Sequence, residues 1–537
     1  MEVSYREEGV ASAASSLAGR LVADGVPARL AGGDPTLWGE DAEAEAAVRL
    51  GWLTLPRSSR ELLPELGKLG ERARAEGLTN VVLAGMGGSS LAAEVICATA
   101  DVPLTVLDTT DPGQVRRALT DRLDATIVVV ASKSGSTVET DCHLRIYQRL
   151  FADAGIEPAG RIVVVTDPGS PLEQLAVDGG HQLVLAMPDV GGRYSALSAY
   201  GLVPSALAGA DVERLLDDAE DVLPLLSRDT GNPGLDLGAA LGGAALAGRD
   251  KLLLEDQLSP INGLPDWIEQ LVAESTGKRG RGILPVVGAD PAQAGDELIV
   301  AIESDIGDVR VDGPLGAQFL VWEYATAVAG LLLEIDPFDQ PNVAESKENT
   351  AALLALPDLP TGAPAFADGP VEVYGAVTAK DLPGVFAELL RAIPDGGYLA
   401  IMAYLDRLAA FDAPVPEGAD FEQMTDAWMM ADPATLRALL AMRTDRPVTF
   451  GWGPRLLHST GQYHKGGPQN GVFLQITGVV TDDVAVPGRP YTLGRLQLAQ
   501  ALGDLGALET RGRPAVRLHL TDRAAGVARL LEAVQEA

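Results

Sequence analysis

The segment Thr126–Thr140, with the sequence TIVVVASKSGSTVET, decides the fold of this chain. It begins with an unbroken run of β-branched residues, Thr126–Val130, which is typical of a strand buried on both faces of a sheet. It ends in a helical pattern whose apolar residues recur every four positions: Val138, Cys142, Ile146 and Leu150. A strand that leads through a short polar loop into a helix is the repeating unit of a parallel α/β sheet.

Further short runs of valine, isoleucine and leucine flank this segment and alternate with helical patterns. They are Val81–Ala84, Leu104–Leu107 and Arg161–Val165. Near-continuous apolar strands separated by helices predict a doubly wound parallel-sheet domain over residues 78–205.

The chain has 537 residues, which is more than one hydrophobic core usually sustains. We expect an N-terminal helical segment over 1–77, a second α/β domain over 206–360 and an additional C-terminal α/β region over 366–537. The strand candidates of the last two are 251–254, 283–287, 298–302, 399–404, 448–451, 472–476 and 516–520. The sequence between them, Thr361–Ala365, has the composition of a linker.

The composition excludes several classes of function. The formal net charge is −34, which repels nucleic acid and anionic membranes, so we expect neither as a partner. The same charge repels phosphorylated substrates, so a phosphate site must be built from local cations and backbone N–H groups. The acidic N-terminus has no apolar signal region, no apolar run is long enough to cross a membrane, and the two cysteines fit no metal motif. We therefore expect a cytoplasmic protein.

The loop after Val130 has the composition of a phosphate site. Five hydroxyl residues and Lys133 lie where a strand ends and a helix begins, which is where ligands bind in open α/β sheets. Ordinary helix capping is the alternative explanation, but one cap needs only one hydroxyl. The glycine-rich turn Gly85–Ser90 follows an earlier strand and is a weaker candidate of the same kind, because such turns are often structural.

Three other motifs carry candidate catalytic residues. Gly191–Ser195 presents Arg193 after two glycines, although a plain turn arginine is an equal alternative. On a predicted helix, Gln270 and Glu274 lie four residues apart at the margin of an apolar stripe, where partial burial would raise the pKa of a carboxyl group toward the range of a general base. Without the other motifs, an ordinary surface glutamate is the more frequent explanation of this pattern. The third motif, Asp339–Lys347, holds one of only seven lysines.

The segment His458–Gly467 contains two of the five histidines of the chain, His458 and His464. A histidine pair six residues apart without cysteines or nearby carboxylates is a poor metal site, so no metal is predicted here.

Taken together, these motifs resemble the phosphoglucose isomerase family. The loop at Ser132–Thr140 resembles the family's Ser-Lys-Thr-x-x-Thr-x-x-Thr phosphate loop, with one threonine replaced by serine. Gly87–Ser89, Gly191–Ser195 and Gln270–Lys278 match the family's Gly-Gly-Ser turn, its Gly-Gly-Arg motif and its base-bearing helix. Asp339–Lys347 matches its Asp-Gln-Trp-Gly-Val-Glu-x-x-Lys motif in spacing, although Pro341 and Asn342 replace tryptophan and glycine.

The resemblance implies two sugar-isomerase-type doubly wound parallel-sheet domains plus the C-terminal α/β region. It also implies the interconversion of glucose 6-phosphate and fructose 6-phosphate through a cis-enediolate, without a metal or redox cofactor, in a homodimer with shared sites. Glu274 is then the base, Arg193 stabilises the oxyanion, and Lys347 acts with a histidine in ring opening. The implied substrate-binding residues are Gly88, Ser89, Ser132, Lys133, Ser134, Thr137, Thr140, Gln270 and Gln340.

One departure concerns the ring-opening histidine. The family places it between the base helix and the Asp-Gln motif, but here no histidine occurs from 182 to 457. The C-terminal sequence instead resembles the isomerase half of bacterial transaldolase–isomerase fusions, and we expect that isomerase alone because too few residues precede residue 80 for a transaldolase. We assign the role to His464, which precedes Lys465-Gly466-Gly467, with His458 as the alternative.

Two other functions remain open from the sequence. A dual glucose/mannose phosphate isomerase would use the same motifs. A non-catalytic sugar-phosphate-binding regulator would need the phosphate loop, but it would have no reason to keep Glu274, Arg193 and Lys347.

Overall fold

Three β-sheets organise the part of the chain that the computed structural model describes, namely residues 1–257, 259–288, 291–292, 294–409, 411 and 431–537. The N-terminal segment starts with a short strand and continues as helices. Its elements are β1 (Glu2–Tyr5), α1 (Glu8–Ala23), α2 (Val26–Ala31), α3 (Glu40–Ala46), α4 (Leu55–Ser58) and α5 (Leu63–Ala75).

The first sheet contains every strand predicted between 81 and 165, in the order β3-β2-β4-β5-β6 with all neighbours parallel. Its elements are β2 (Asn80–Gly85), α6 (Leu91–Thr99), β3 (Thr105–Leu107), α7 (Pro112–Thr120), β4 (Thr126–Ala131), α8 (Val138–Asp153), β5 (Ile162–Thr166), α9 (Pro171–Asp178), β6 (Gln182–Leu185) and α10 (Ala199–Ala208). All residues of β2, β4 and β5 are buried, as their continuous apolar sequences predict. The chain continues from β2 to β3 on one side and returns to β4 on the other, so the loops after β2 and β4 meet at a topological switch point, where α/β sheets bind ligands.

The second sheet has the order β1-β10-β9-β7-β8. Its elements are α11 (Val212–Leu226), α12 (Pro233–Leu246), β7 (Lys251–Glu255), α13 (Leu264–Thr276), β8 (Leu284–Val287), β9 (Glu297–Ile302), β10 (Val309–Asp312), α14 (Leu315–Leu332) and α15 (Val343–Leu354). The prediction that the N-terminal segment is entirely helical is wrong for Glu2–Tyr5, because β1 pairs antiparallel with β10 and covers the otherwise unpaired edge of that strand.

Within the described part of the chain, α14 is the one helix with the length and apolar composition to cross a membrane; 89% of this window is buried in the protein. It lies against α11, α12 and α13. Its apolar residues therefore form core rather than surface, and α14 is the central helix of the second unit.

The third sheet has the order β11-β12-β16-β15-β13-β14, with β14, β13, β15 and β16 parallel. Its elements are β11 (Phe366–Asp368), β12 (Val371–Tyr374), α16 (Leu382–Ala392), β13 (Tyr398–Tyr404), α17 (Thr435–Ala441), β14 (Val448–Trp452), α18 (Gly461–Gly466), β15 (Gly471–Gly478), α19 (Leu493–Thr510), β16 (Ala515–Leu520) and α20 (Arg523–Glu536). The strands predicted in this region are confirmed.

The three sheets pack together through extensive contacts. One apolar cluster runs from Val10 to Phe338 and joins the N-terminal helices to both of the first two sheets. Arg455 and Arg407 of the third unit form ion pairs with Glu94 of α6, at 2.9 and 2.8 Å. The exact domain boundaries stay predictions, but this packing brings loops of all three units to one place.

Candidate active site

The hydroxyl-rich loop between β4 and α8 lies at the switch point of the first sheet. The hydroxyls of Ser132 and Thr137 are 2.9 Å apart, and both residues line a cavity of about 660 Å³. Thr140, one turn into α8, lines the same cavity, and its buried hydroxyl has no partner in the described structure. These residues leave hydroxyl groups free to bind an anion.

Two other predicted loop residues point elsewhere. Lys133 forms an ion pair with Asp167 at the end of β5, and its ammonium also donates to the carbonyl of Pro188 at 3.1 Å. Ser134 accepts a hydrogen bond from the hydroxyl of Ser136 at 3.1 Å. Neither lines the cavity, so the structure brings Ser132, Thr137 and Thr140 to this cavity but not Lys133 or Ser134.

The glycines of the second switch-point loop permit close backbone contacts. A side chain on Gly88 would place its Cβ 2.0 Å from the carbonyl oxygen of Gly192, and Gly87 has a φ of +53°. The turn Gly87–Ser89 therefore packs directly against the turn Gly192–Tyr194 that carries Arg193. Ser89 is buried beside this contact.

Arg193 and Glu274 form the centre of a buried polar cluster. Nη1 of Arg193 lies 3.3 Å from Oε1 of Glu274, and the two side chains are only 2% and 12% exposed. The guanidinium also donates to Ser275 Oγ at 2.8 Å and to Gln340 Oε1 at 2.9 Å. The structure thus brings together three of the residues singled out from the sequence, Arg193, Glu274 and Gln340.

Gln270 connects this cluster to the third unit. Its amide nitrogen donates to Oε2 of Glu274 at 3.0 Å and to the carbonyl oxygen of His458 at 2.8 Å. The spacing of four residues on α13 places Gln270 and Glu274 side by side, as the sequence predicts. Glu274 is therefore held from one side by Arg193 and from the other by Gln270.

Lys278 anchors the segment that presents Gln340. Its ammonium donates to the carbonyl oxygens of Asp336 and Asp339, at 2.5 and 2.6 Å, and pairs with the Asp339 carboxylate at 2.7 Å. Burial lowers the pKa of Lys278 to about 8. Its role in this arrangement is to fix the backbone around residues 336–339.

The third unit contributes His458 to the cavity. Its ring nitrogen Nε2 lies 3.0 Å from Oε1 of Glu139, the first-turn glutamate of α8, and the amide of Gln500 donates to the same oxygen at 2.6 Å. All three residues line the cavity, as does Lys347 of α15. Burial alone would raise the pKa of the Glu139 carboxyl, but His458 and the charge of Lys347 hold this pKa below its usual range.

His464 does not reach the cavity. It lies on α18 with its side chain buried, stacked on Tyr398 at 6.3 Å between ring centroids and edge-on to Phe473 at 5.1 Å. Neither ring nitrogen has a hydrogen-bond partner in the described structure, and burial lowers the pKa of His464 well below its ordinary value. The geometry therefore favours His458, which lines the cavity, over His464, which does not.

Sequence reasoning missed two residues of the site. Glu139 was part of the quoted loop, but its sequence position gave no sign of a histidine partner more than three hundred residues away. Gln500 lies in the middle of α19, where a glutamine is ordinarily a surface residue. Among the described residues, no group of three or more His, Cys, Asp or Glu side chains is arranged to hold a metal ion.

Comparisons with known proteins identify relatives of this chain. A sequence model of the family Phosphoglucose isomerase matches residues 68–226. A probable glucose-6-phosphate isomerase of Natronomonas pharaonis is 32% identical over 344 residues, which cover 57% of this chain and 79% of the relative. The glucose-6-phosphate isomerase of Rubrobacter xylanophilus is 29% identical over 387 residues, 57% of this chain and 89% of the relative.

Coverage varies among these relatives. A probable glucose-6-phosphate isomerase of Haloarcula marismortui is 38% identical, but the match covers 38% of this chain and 48% of the relative. Among solved structures, a hypothetical protein of Thermus thermophilus superposes with a TM-score of 0.55 and 26% identity, over 65% of this chain and 98% of that protein. By these matches and the geometry of its cleft, the chain belongs to the phosphoglucose isomerase family.

Proposed function

We propose that this protein interconverts glucose 6-phosphate and fructose 6-phosphate. The observation that carries the proposal is a set of contacts around His458. The hydroxyl-rich loop at the sheet switch point and the His458–Glu139 pair line one cavity. Glu274, held by Arg193, is tied to the backbone carbonyl of His458 through Gln270. The names of the relatives support the same substrates.

In the proposed reaction, the loop after β4 binds the phosphate group. Ser132 and Thr137 offer hydroxyl donors, and the hydroxyl of Thr140 on the cavity wall has no partner among the described residues. The first turn of α8 adds backbone N–H groups with partial positive charge. These contacts are the same in the ground state and the transition state. They therefore set affinity and register more than they set the rate.

Glu274 is the proposed base for the isomerisation. The carboxylate takes the proton from C2 of the open-chain aldose and returns it to C1, so that a cis-enediolate forms and collapses to the ketose. Negative charge develops on the substrate oxygens during this step. Arg193, buried and fixed by its hydrogen bonds to Ser275 and Gln340, stabilises that charge without having to reorganise.

Ring opening is the proposed task of His458. A histidine can both donate and accept a proton near neutral pH, and Glu139 at 3.0 Å fixes which ring nitrogen faces the carboxylate. Lys347, exposed on the cavity wall, is the proposed second group for the ring oxygens.

The choice between the two histidines has a direct test. His458→Ala and His464→Asn are assayed with fructose 6-phosphate and with its 5-deoxy analogue, which lacks the hydroxyl that closes the ring. We expect His458→Ala to lose at least about 10²-fold in turnover on the cyclic substrate and far less on the analogue. An unimpaired His458→Ala variant beside an impaired, folded His464→Asn variant would restore the assignment of His464.

Three finer expectations also remain proposals. The C-terminal sequence supports a kinship with the isomerase half of transaldolase–isomerase fusions, and the metabolic role of the relatives supports a cytoplasmic location. A homodimer follows from the family resemblance.

The activity itself is tested by a coupled assay that detects glucose 6-phosphate formed from fructose 6-phosphate, run beside mannose 6-phosphate. Turnover of fructose 6-phosphate alone supports the proposal, and turnover of both sugars identifies a dual-specificity isomerase. Tight binding of these sugar phosphates without turnover would instead identify a regulator.

A further inference from the structure

Gln500 of α19 makes two hydrogen bonds deep in the interface between the third unit and the first. Its amide nitrogen donates to Oε1 of Glu139 at 2.6 Å, and its amide oxygen accepts from the hydroxyl of Thr110 at 2.8 Å. The residue is 2% exposed. Both ends of its side chain are therefore fixed, and the donor end faces the carboxylate that contacts His458.

A buried glutamine in the middle of a helix needs a physical reason. Burying an amide has a large desolvation penalty, and an apolar residue at an interface position gives equal or greater stability. Among the described residues, Gln500 recovers this penalty through Glu139 and Thr110. The simplest explanation for a glutamine at this position is its hydrogen bond to Glu139.

The geometry at Glu139 shows what that effect is. Oε1 of Glu139 accepts from Gln500 at 2.6 Å and lies 3.0 Å from Nε2 of His458, so both contacts use one oxygen atom. With Gln500 in place, the carboxylate cannot rotate about its last side-chain bond without losing a short hydrogen bond. The position of the oxygen that faces the imidazole is thereby fixed.

We infer that Gln500 is a positioning residue, which holds Glu139 so that Glu139 can orient His458 for ring opening. The inference rests on the proposed function. Gln500 acts on the substrate only through the two other side chains, so its removal affects the step that His458 performs and leaves the proton transfer by Glu274 unchanged.

The same helix offers a matched control. Gln497, one turn earlier, is 3% exposed and donates to another buried carboxylate of the first unit, Asp111, at 3.3 Å. Asp111 caps α7 and pairs with Arg523. Gln497→Met and Gln500→Met therefore each remove a hydrogen bond from α19 to a buried carboxylate of the first unit, but only the second removes a bond to the partner of His458.

The experiment measures kcat and KM for both variants on fructose 6-phosphate and on its 5-deoxy analogue. We expect Gln500→Met to lose about tenfold to a hundredfold in kcat on the cyclic substrate, which is the effect of one hydrogen bond to a charged group. On the open-chain analogue its kcat should change by less than about twofold. Gln497→Met should remain within about twofold of wild type on both substrates.

A double-mutant cycle with Glu139→Gln separates positioning from general destabilisation. If Gln500 acts through Glu139, the double variant Glu139→Gln/Gln500→Met loses little more activity than Glu139→Gln alone. Equal losses on both substrates, additive effects in the cycle, or an equally impaired Gln497→Met would each overturn the inference. If His458→Ala is itself unimpaired, or the wild type does not isomerise the sugar, then it is the proposed function that fails.

Discussion

The substitution Arg193→Lys tests the proposed electrostatic role most severely, because it keeps the positive charge and removes the planar fork. The guanidinium donates to Ser275 Oγ, Gln340 Oε1 and the carbonyl oxygens of Pro337 and Asp339, at 2.8, 2.9, 2.7 and 2.8 Å. An ammonium group cannot reach acceptors spread around a planar group, so we expect at least two buried acceptors to lose their donor. At about 1–3 kcal/mol for each, the loss of unfolding free energy should be about 4 kcal/mol.

Arg513 provides a control for this loss of stability. It is 3% exposed, and its guanidinium donates to the carbonyl oxygens of Pro468 and Gly467, at 2.6 and 3.1 Å, outside the cleft. We expect Arg193→Lys and Arg513→Lys to unfold at similarly reduced urea concentrations. In the coupled isomerase assay, only Arg193→Lys should lose about 10²-fold in kcat, because one preorganised donor to an oxyanion has an effect of that size. Equal kcat values for the two variants would refute the assignment of Arg193.

Three further predictions concern the loops and the anchoring lysine. The double variant Ser132→Ala/Thr137→Ala should raise KM for fructose 6-phosphate more than it lowers kcat, because phosphate contacts persist into the transition state. Steady-state kinetics measure both constants, and a fall in kcat at unchanged KM would mean that the loop has another role. Gly88→Ala should lose about 3 kcal/mol of unfolding free energy, because its Cβ would lie 2.0 Å from the Gly192 carbonyl oxygen. As a control, the Cβ of Gly67→Ala on α5 would meet open space, so this variant should gain up to about 1 kcal/mol. Urea titrations measure the unfolding free energies of both variants. Burial lowers the pKa of Lys278 from 10.5 to about 8. Between pH 8 and pH 10.5 the unfolded chain therefore binds more protons than the folded chain, so the unfolding free energy of the wild type should rise with pH across this range. Lys278→Met should lack that part of the rise, and identical pH profiles for the two proteins would refute the buried environment of Lys278.

The sequence was a good guide wherever a feature depended on local pattern. Continuous apolar runs such as Thr126–Val130 predicted the buried central strands of all three sheets, because only a strand covered on both faces needs that composition. The helical spacing of Gln270 and Glu274 predicted that they are neighbours, and in the structure Nε2 of Gln270 lies 3.0 Å from Oε2 of Glu274. These features depend only on residues that are close together in the sequence.

Five short strands were not predictable in the same way. β1, β10, β11 and β12 have three or four residues each, and β6 is partly exposed, so none has a distinctive apolar run. Their identity depends on which neighbouring edge is left unpaired. That information lies in the tertiary structure, as the pairing of β1 with β10 demonstrates.

The sequence could not distinguish the two histidines for a related reason. His458 and His464 are six residues apart in a polar, glycine-containing segment, and nothing in that segment tells which one faces the cleft. His458 ends a short 3-10 turn directed at α8, whereas α18 turns His464 into the apolar core beside Phe473. The partner that distinguishes them, Glu139, belongs to another unit of the chain and can be identified only once the units are assembled.

The measurement that tests the central claim most directly is the isomerisation of fructose 6-phosphate in D₂O by the wild type and by Glu274→Gln. If Glu274 transfers the proton through an enediolate, the wild type should form glucose 6-phosphate that carries deuterium at C2, because a carboxylic acid exchanges its proton with solvent. Glu274→Gln should form product at least about 10²-fold more slowly. Wild-type product without any deuterium, or near-normal turnover by Glu274→Gln, would contradict the account.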